Sequence, residues 1–382
     1  MPSPFLLPVL ALAVCMVGAA EFMLAPLLAP LAVAFATTPA RASGLVSAYA
    51  FSYALAAPLM GWISDRTGRR RVLIAAMLLF ALDGIALTLV PTLQAAMALR
   101  VLGGLAAAAT IPTIFAVIAD EFPPGKQTGA MGVVMLGMTV GIAAGPAVAG
   151  LLAGAWGWRA PFLVTAGGCL AAFTAGWRLL PRDRPRAPDI VRQNRDLDSK
   201  AGILRLLAAK GAWNGSAVAG YVFAGEMLRL RYGFNVASVG AAVSVFGLGL
   251  GIGNVCAGRA NRYGERLETV VVLATVLVAA AMIAFMAAPI GLAAALGCLL
   301  AWGTALGVAA PASTAILAQR AGVHKGKVLA ASESVNNLAV LMLMPVAASA
   351  AANYGGTSAA MLLGGVCLSG AALSATARRK TA

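Results

Sequence analysis

Residues 61–71 read GWISDRTGRRR, a polar and strongly basic stretch set between two apolar runs, 43–62 and 72–90. Each flanking run approaches the roughly 20 apolar residues that a helix needs to cross a bilayer. The stretch is therefore a short loop joining two membrane spans. Gly61 permits close helix approach, Asp65 near a helix end can accept backbone or arginine hydrogen bonds, and Gly68 allows a tight turn that a side chain would strain. Arg66, Arg69, Arg70 and Arg71 mark the loop as cytoplasmic. An inside-positive loop accounts for the arginines alone; the order of acid, glycine and bases suggests a specific interhelical lock as well.

Reading outward from this loop, apolar segments recur along the whole chain. They cover 5–32, 43–62, 72–90, 95–119, 127–153, 159–179, 206–228, 236–257, 267–287, 290–318, 327–350 and 355–376, with only a proline turn at Ala287 to Pro289 dividing the ninth from the tenth. Of the 382 residues, 61% are hydrophobic and 11% charged, against about 25% charged in soluble domains. The mean hydropathy is +0.88. Such a composition excludes an ordinary soluble domain and leaves no room for a sizeable extramembrane one. The N-terminal run has GAA at 18–20 but no basic n-region, and continues to about Ala36, so it reads as a first span rather than a signal peptide.

The net charge of +15 would suggest nucleic acid in a soluble protein, but no aromatic interleaving or folded basic domain accompanies it. Placement of the basic residues gives the better reading. With both termini cytoplasmic, 22 lie on the inside, against Arg41, Arg159, Arg229 and Arg231 outside; Arg100 and Lys210 fall within or at the edge of helices. This asymmetry orients an even-numbered bundle. The longest polar interruption, Pro181 to Arg205, contains PRDRPRAPD and divides six segments from six. It reads as a cytoplasmic linker able to lie against anionic headgroups.

The halves also resemble each other. An offset of 199 overlays Gly104 on Gly303, Pro112 on Pro311, Lys126 on Lys325 and Pro146 on Pro345, and nearby offsets set DRTG at Asp65 beside NRYG at Asn261 and AAEF at Ala19 beside AGEM at Ala224. A six-plus-six duplication follows.

Ionisable residues within spans are costly and so become candidates for function. Glu21 lies about 24 Å along its helix from Phe5, and Arg100 falls in the outer half of a descending helix, so the two can share a height. Their pairing would lower the desolvation cost, and protonation of Glu21 would release Arg100. A structural ion pair or a snorkelling Arg100 is the competing reading. Asp83, about 17 Å into its helix, can bind a cationic substrate, carry protons, or satisfy a polar neighbour. Asn214, Glu226, Asn254, Asn336 and Asn337 are candidates for the substrate path, with Glu333 nearer the inside surface; helix-packing hydrogen bonds are the alternative for the asparagines, and a solvated lip position for Glu226.

In the fifth segment Gly137, Gly141 and Gly145 recur every four residues on one helix face, followed by Pro146, which can bend the helix. The five cysteines, Cys15, Cys169, Cys256, Cys298 and Cys367, all lie in apolar runs and read as packing residues. There is no GxxxxGK[ST] loop for nucleotide, and the sole histidine, His324, lies at a cytoplasmic turn. Neither metal, cofactor nor catalytic residues are expected.

The 61–71 loop resembles the first signature motif of the major facilitator superfamily, and the resemblance extends over nearly the whole chain. It implies a structural and gating role for Gly61, Asp65, Arg66, Gly68, Arg69 and Arg70, latching the two halves on the cytoplasmic side. The related loop departs from this pattern, with Ala257 for the leading glycine and Asn261 for the acid. Arg100 resembles the fourth-helix arginine linked to proton coupling, the glycine-proline run resembles the fifth-helix motif of antiporters and exporters, and Glu21 resembles the first-helix acid of the bacterial drug-proton and sugar efflux branch. The resulting expectation is an all-α polytopic membrane protein: twelve transmembrane helices in two pseudo-symmetric six-helix bundles, 1–180 and 206–382, around a central cavity and joined by 181–205. Its expected activity is proton-coupled efflux of a small amphiphilic or cationic compound by a monomer in the bacterial inner membrane. A sugar or nucleoside-like exporter is the alternative, followed by a uniporter, an importer or a scaffold. Protons and membrane lipids are the other expected partners.

Overall fold

The computed structural model describes residues 3–181, 200–260 and 267–376. Most of the expected linker (182–199), Asn261, Arg262 and Arg266, and the basic tail Arg378, Arg379 and Lys380 lie outside the described residues, as do the side chains of Arg259 and Lys325.

All regular structure among the described residues is helical: α1 (Leu6–Phe22), α2 (Leu24–Ala34), α3 (Pro39–Ala42), α4 (Gly44–Thr67), α5 (Arg69–Leu87), α6 (Leu93–Glu121), α7 (Pro124–Trp156), α8 (Arg159–Leu179), α9 (Lys200–Tyr232), α10 (Val236–Ala260), α11 (Leu267–Ala287), α12 (Leu292–Ala321), α13 (Lys325–Tyr354) and α14 (Gly356–Thr376). Nine of the helices are long and apolar enough to cross a membrane, ten when the bent pair α1 and α2 counts as one span. The more highly charged α5 and α9 are not among them. The chain is thus an all-α polytopic membrane protein. Its apolar surface, including Leu136, Leu151, Leu248 and Leu273, is what a lipid-facing exterior requires.

The first segment is not the continuous helix expected from the sequence. It breaks at Met23, with α1 and α2 inclined by 55°. Pro26 accounts for the break: it lacks an amide proton and its ring opposes the carbonyl of the residue four earlier, Phe22. Elsewhere the ends follow local chemistry. Thr92 caps α6 by accepting from the Ala95 amide at 3.3 Å. Gly68 separates α4 from α5 at φ 105°, a conformation that disfavours any residue with a Cβ. Only Ala288 to Gly291 divide α11 from α12, at the Pro289 turn.

Packing contacts divide the chain into two units, Met1–Ile190 with Asn235–Gly240, and Val191–Phe234 with Ala241–Ala382. Within the first, α7 lies along α1, α4 along α6, and α5 between α6 and α8. Small residues set these distances. A Cβ on Gly137 would collide with the Ala11 carbonyl, one on Gly141 with that of Cys15, and one on Gly145 would approach Ala19 Cα to 2.8 Å. Gly61 behaves differently from the close approach expected of it, since no heavy atom of the described residues lies within 4 Å of its Cβ direction. That position lies on an open face of α4.

In the second unit α11 packs on α12 and α14, and α9 on α13 and α14. The two units repeat particular contacts. Gly104 of α6 meets the Tyr49 carbonyl of α4, and Gly303 of α12 meets the Phe246 carbonyl of α10. What surrounds these contacts differs: Phe246 lies in a buried aromatic group with Tyr221 and Trp302, ring centroids 4.6 and 5.5 Å away.

Candidate functional site

The buried charges of the first unit meet where α4, α5 and α6 adjoin. Arg100 and Asp83 are each 2% exposed, and Arg100 NH1 lies 3.4 Å from Asp83 Oδ2. The guanidinium carbon stands 4.7 Å from the centroid of the Tyr49 ring, within cation-π range. Two adjacent glycines make the space. A Cβ on Gly103 would strike the Asp83 carboxylate, and one on Gly104 would strike Ser52 Oγ and the Tyr49 carbonyl. The Ser52 hydroxyl donates to that same carbonyl at 3.1 Å. The site is under-satisfied: among the described residues, Asp83 Oδ1, Arg100 Nε and NH2, and the Tyr49 hydroxyl have no hydrogen-bond partner. Two ions in an apolar bundle with unused hydrogen-bonding capacity have reason to rearrange when a proton or a polar ligand arrives.

The ion partner of Arg100 in this structure is therefore Asp83, where the sequence argument favours Glu21. The physical reason is adjacency, because α5 and α6 are consecutive and closely packed, whereas an equal height estimated from residue counts says nothing about which helix faces which. Glu21 is half-buried, two residues before the break at Met23. It acts electrostatically on the Tyr49 hydroxyl, as do Asp83 and Arg100. Tyr49 joins the site through its ring against Arg100, a contact that was not read from the sequence. The GG pair at 103–104, one turn beyond Arg100, was the available signal.

An apolar cavity of about 140 Å³ in the same unit lies among α1, α7 and α8, lined by Cys15, Met16, Gly141, Gly145, Val148 and Thr165 among others. None of the charged candidates lines it. The charged centre and this hollow are separate features.

At the loop, Arg69 NH2 lies 3.4 Å from Asp65 Oδ1, and NH1 lies 2.5 Å from Asp120 Oδ2. Arg69 also donates to the Ala116 carbonyl, and Arg70 to that of Trp177. Arg66 stacks 4.0 Å from the Trp62 centroid. These contacts join α4, α5, α6 and α8 within one unit. Gly137, Gly141, Gly145 and Pro146 lie on α7, the three glycines against α1 as described above.

The candidates of the second half are dispersed. Glu226 is held by Arg229 through two hydrogen bonds of 2.9 and 2.6 Å. Asn214 is half-buried and Asn254 exposed. Asn336 is buried with Oδ1 unpartnered, and Asn337 donates to the Glu333 carbonyl at 3.0 Å. Charge nevertheless gathers around Lys210, which reaches Thr314 at 3.0 Å and Glu333 at 3.8 Å. Among the described residues no cluster of three or more His, Cys, Asp or Glu side chains is arranged to hold a metal.

Twelve-segment sequence patterning, a glycine-set α1–α7 seam and a buried acid-arginine pair converge with a match to the sequence profile of the Major Facilitator Superfamily over residues 10–228 and 211–382. The chain belongs to the Major Facilitator Superfamily. As a member it is a multi-pass membrane protein. Among its relatives, the Multidrug resistance protein B homolog of Mycobacterium tuberculosis is 33% identical over 155 residues, which are 41% of this chain and 29% of that protein. The Chloramphenicol resistance protein of Streptomyces lividans is 32% identical over 268 residues, 68% of this chain and 67% of that protein. The match thus spans less than a third of the first relative and about two thirds of the second. A solved D-xylose-proton symporter shares the superfamily fold with a TM-score of 0.79 at 16% identity, covering 96% of each chain. A bacterial homolog of the human lysosomal transporter Spinster, inward-facing and occupied, gives 0.74 at 18% identity over 99% of this chain and 96% of that one.

Proposed function

We propose that this protein is a secondary transporter, not an enzyme, and that it exports a small amphiphilic or cationic compound in exchange for protons. In this reading twelve spans form two six-helix bundles, 1–180 and 206–382, joined by the basic cytoplasmic linker 181–205. The bundles expose a central cavity alternately to the two sides of a bacterial inner membrane, and both termini are cytoplasmic. The drug-resistance names of the Mycobacterium and Streptomyces relatives support the substrate class.

The observation that carries the coupling is the buried Asp83–Arg100 pair beneath Tyr49, with Glu21 acting on the same hydroxyl. Arg100 is committed to Asp83, while the less buried Glu21 exchanges the proton. Neutralising Glu21 removes one negative charge from a centre that holds one cation and two acids, so Arg100 and its helix favour a different arrangement. The loop from Gly61 to Arg70 latches the cytoplasmic ends through Asp65, and the α7 glycine seam keeps α1 rigid against α7 beneath the break at Met23.

Proton and substrate movement measured separately in the same reconstituted vesicles test this reading. A pH gradient is expected to drive uptake of a lipophilic cation into inside-out vesicles. Glu21→Gln keeps the fold but loses substrate-driven proton movement. An unchanged proton-to-substrate ratio in folded Glu21→Gln over a broad pH range transfers the role to Asp83. Flux insensitive to the gradient in the unmodified protein rejects antiport in favour of a uniporter.

A further inference from the structure

The second unit holds a buried cation that the coupling scheme leaves unused. Lys210 lies ten residues into α9, about 15 Å along it, and its side chain is 4% exposed. Its ammonium is 3.0 Å from Thr314 Oγ1 on α12. The Thr314 hydroxyl donates to the Ala310 carbonyl at 2.8 Å, which leaves its oxygen to accept from Lys210. Among the described residues its acidic partner is Glu333 on α13 at 3.8 Å, beyond ordinary hydrogen-bond distance, and it is 47% exposed.

The backbone around Lys210 is fixed. Gly211 and Gly215 bring α9 so close to α13 that a Cβ on either would press on Val335 or Ala339. A second acid, Glu268, which lines a cavity of about 10 Å³ together with Lys210, Ser313 and Ser374, is paired with Arg320. That cavity is about the size of one water. Lys210 therefore has three donors, one well-placed acceptor and one loosely held counter-ion.

A buried ammonium is costly without an anion against it, so the demand at this site lies on the cation. The acid is the member able to leave, because it is half open and lies outside hydrogen-bond range. At 47% exposure, an ionised carboxylate at this position is stable only with access to water, and that access would give a dissolved ligand a path to the place Glu333 now fills.

We propose that Lys210 and Thr314 form a binding site for the carboxylate of a small amphiphile, and that Glu333 is a tethered stand-in displaced by that ligand. This rests on the reading of the chain as a transporter of small amphiphiles and adds carboxylate-bearing compounds, zwitterions included, to the class.

The test compares benzoate with the neutral isostere benzamide, binding to the purified full chain in neutral detergent by calorimetry. The unmodified protein is expected to favour benzoate. Glu333→Gln, which removes the internal competitor, tightens benzoate several-fold and leaves benzamide unchanged. Lys210→Gln abolishes the preference and Lys210→Arg retains it. Benzoate binding that weakens in Glu333→Gln, or that keeps the same ratio to benzamide, overturns the proposal and leaves Glu333 a structural counter-ion. Should Lys210→Gln fail to fold, Lys210→Arg and Glu333→Gln still decide. Proton-linked flux of a lipophilic cation in vesicles separates the two readings: intact antiport with no benzoate preference rejects only this site, and benzoate binding without antiport rejects only the coupling scheme.

Discussion

Replacing Asp83 by asparagine removes the acid that faces Arg100 while keeping the side chain's size. At 3.4 Å, with an effective dielectric of about 20, the lost attraction is about 5 kcal/mol before desolvation is counted. Relief of the Asp83 desolvation offsets part of this, and breaking a buried pair typically costs about 3–5 kcal/mol. The Tyr49 face is already in contact at 4.7 Å, so it offers no new compensation. Among the described residues, Arg100 Nε and NH2 have no partner to strengthen. Asp83→Asn is therefore expected to destabilise the folded protein by about 3 kcal/mol. The double variant Asp83→Asn/Arg100→Met should recover most of that loss, because the penalty belongs to a stranded cation and not to missing volume. Reversible denaturant unfolding in micelles, run as a double-mutant cycle, measures the coupling directly. A single-variant loss below about 1 kcal/mol, or a double variant whose cost is the plain sum, would refute the reasoning.

Two further outcomes follow from packing and charge. Gly141→Val forces α1 and α7 apart at the Cys15 carbonyl and should lower the yield of monodisperse protein sharply, whereas Gly61→Ala, on an open face, should change yield and unfolding midpoint little; equal effects would show that the α1–α7 seam is not set by glycine. A single cysteine placed between Pro181 and Arg205 in a cysteine-free background should react with an impermeant reagent only from the cytoplasmic side, and reproducible labelling from outside would reverse the topology drawn from the basic residues.

The membrane class of this protein was legible in one dimension because each physical requirement is local. A span needs a run of apolar residues, a turn needs a residue such as Gly68 that tolerates φ 105°, and loop orientation follows from where arginines fall. The face formed by Gly137, Gly141 and Gly145 was visible for the same reason, since helical periodicity places residues four apart together. Its partner, α1, was not visible. The break at Met23 was written in Pro26 and overlooked, because hydropathy averages over the residue that interrupts the hydrogen-bond ladder.

Pairing across helices is a different matter. Glu21 and Arg100 matched in height and were opposite in charge, yet the ion pair formed with Asp83, because the direction in which each helix turns its face comes from packing among α4, α5 and α6. Tyr49 carried no charge to draw attention, and its ring became part of the site only when Gly103 and Gly104 allowed α6 to approach. Lys210 looked like a residue at a helix edge; burial against Thr314 and Glu333, more than a hundred positions further along, made it a candidate site. Residue type and local spacing determined the class of protein and the turns between its helices, whereas the partners of its buried charges were decided by tertiary structure, since electrostatic energy inside a bundle depends on distances of a few ångströms between helices that the order of residues does not specify.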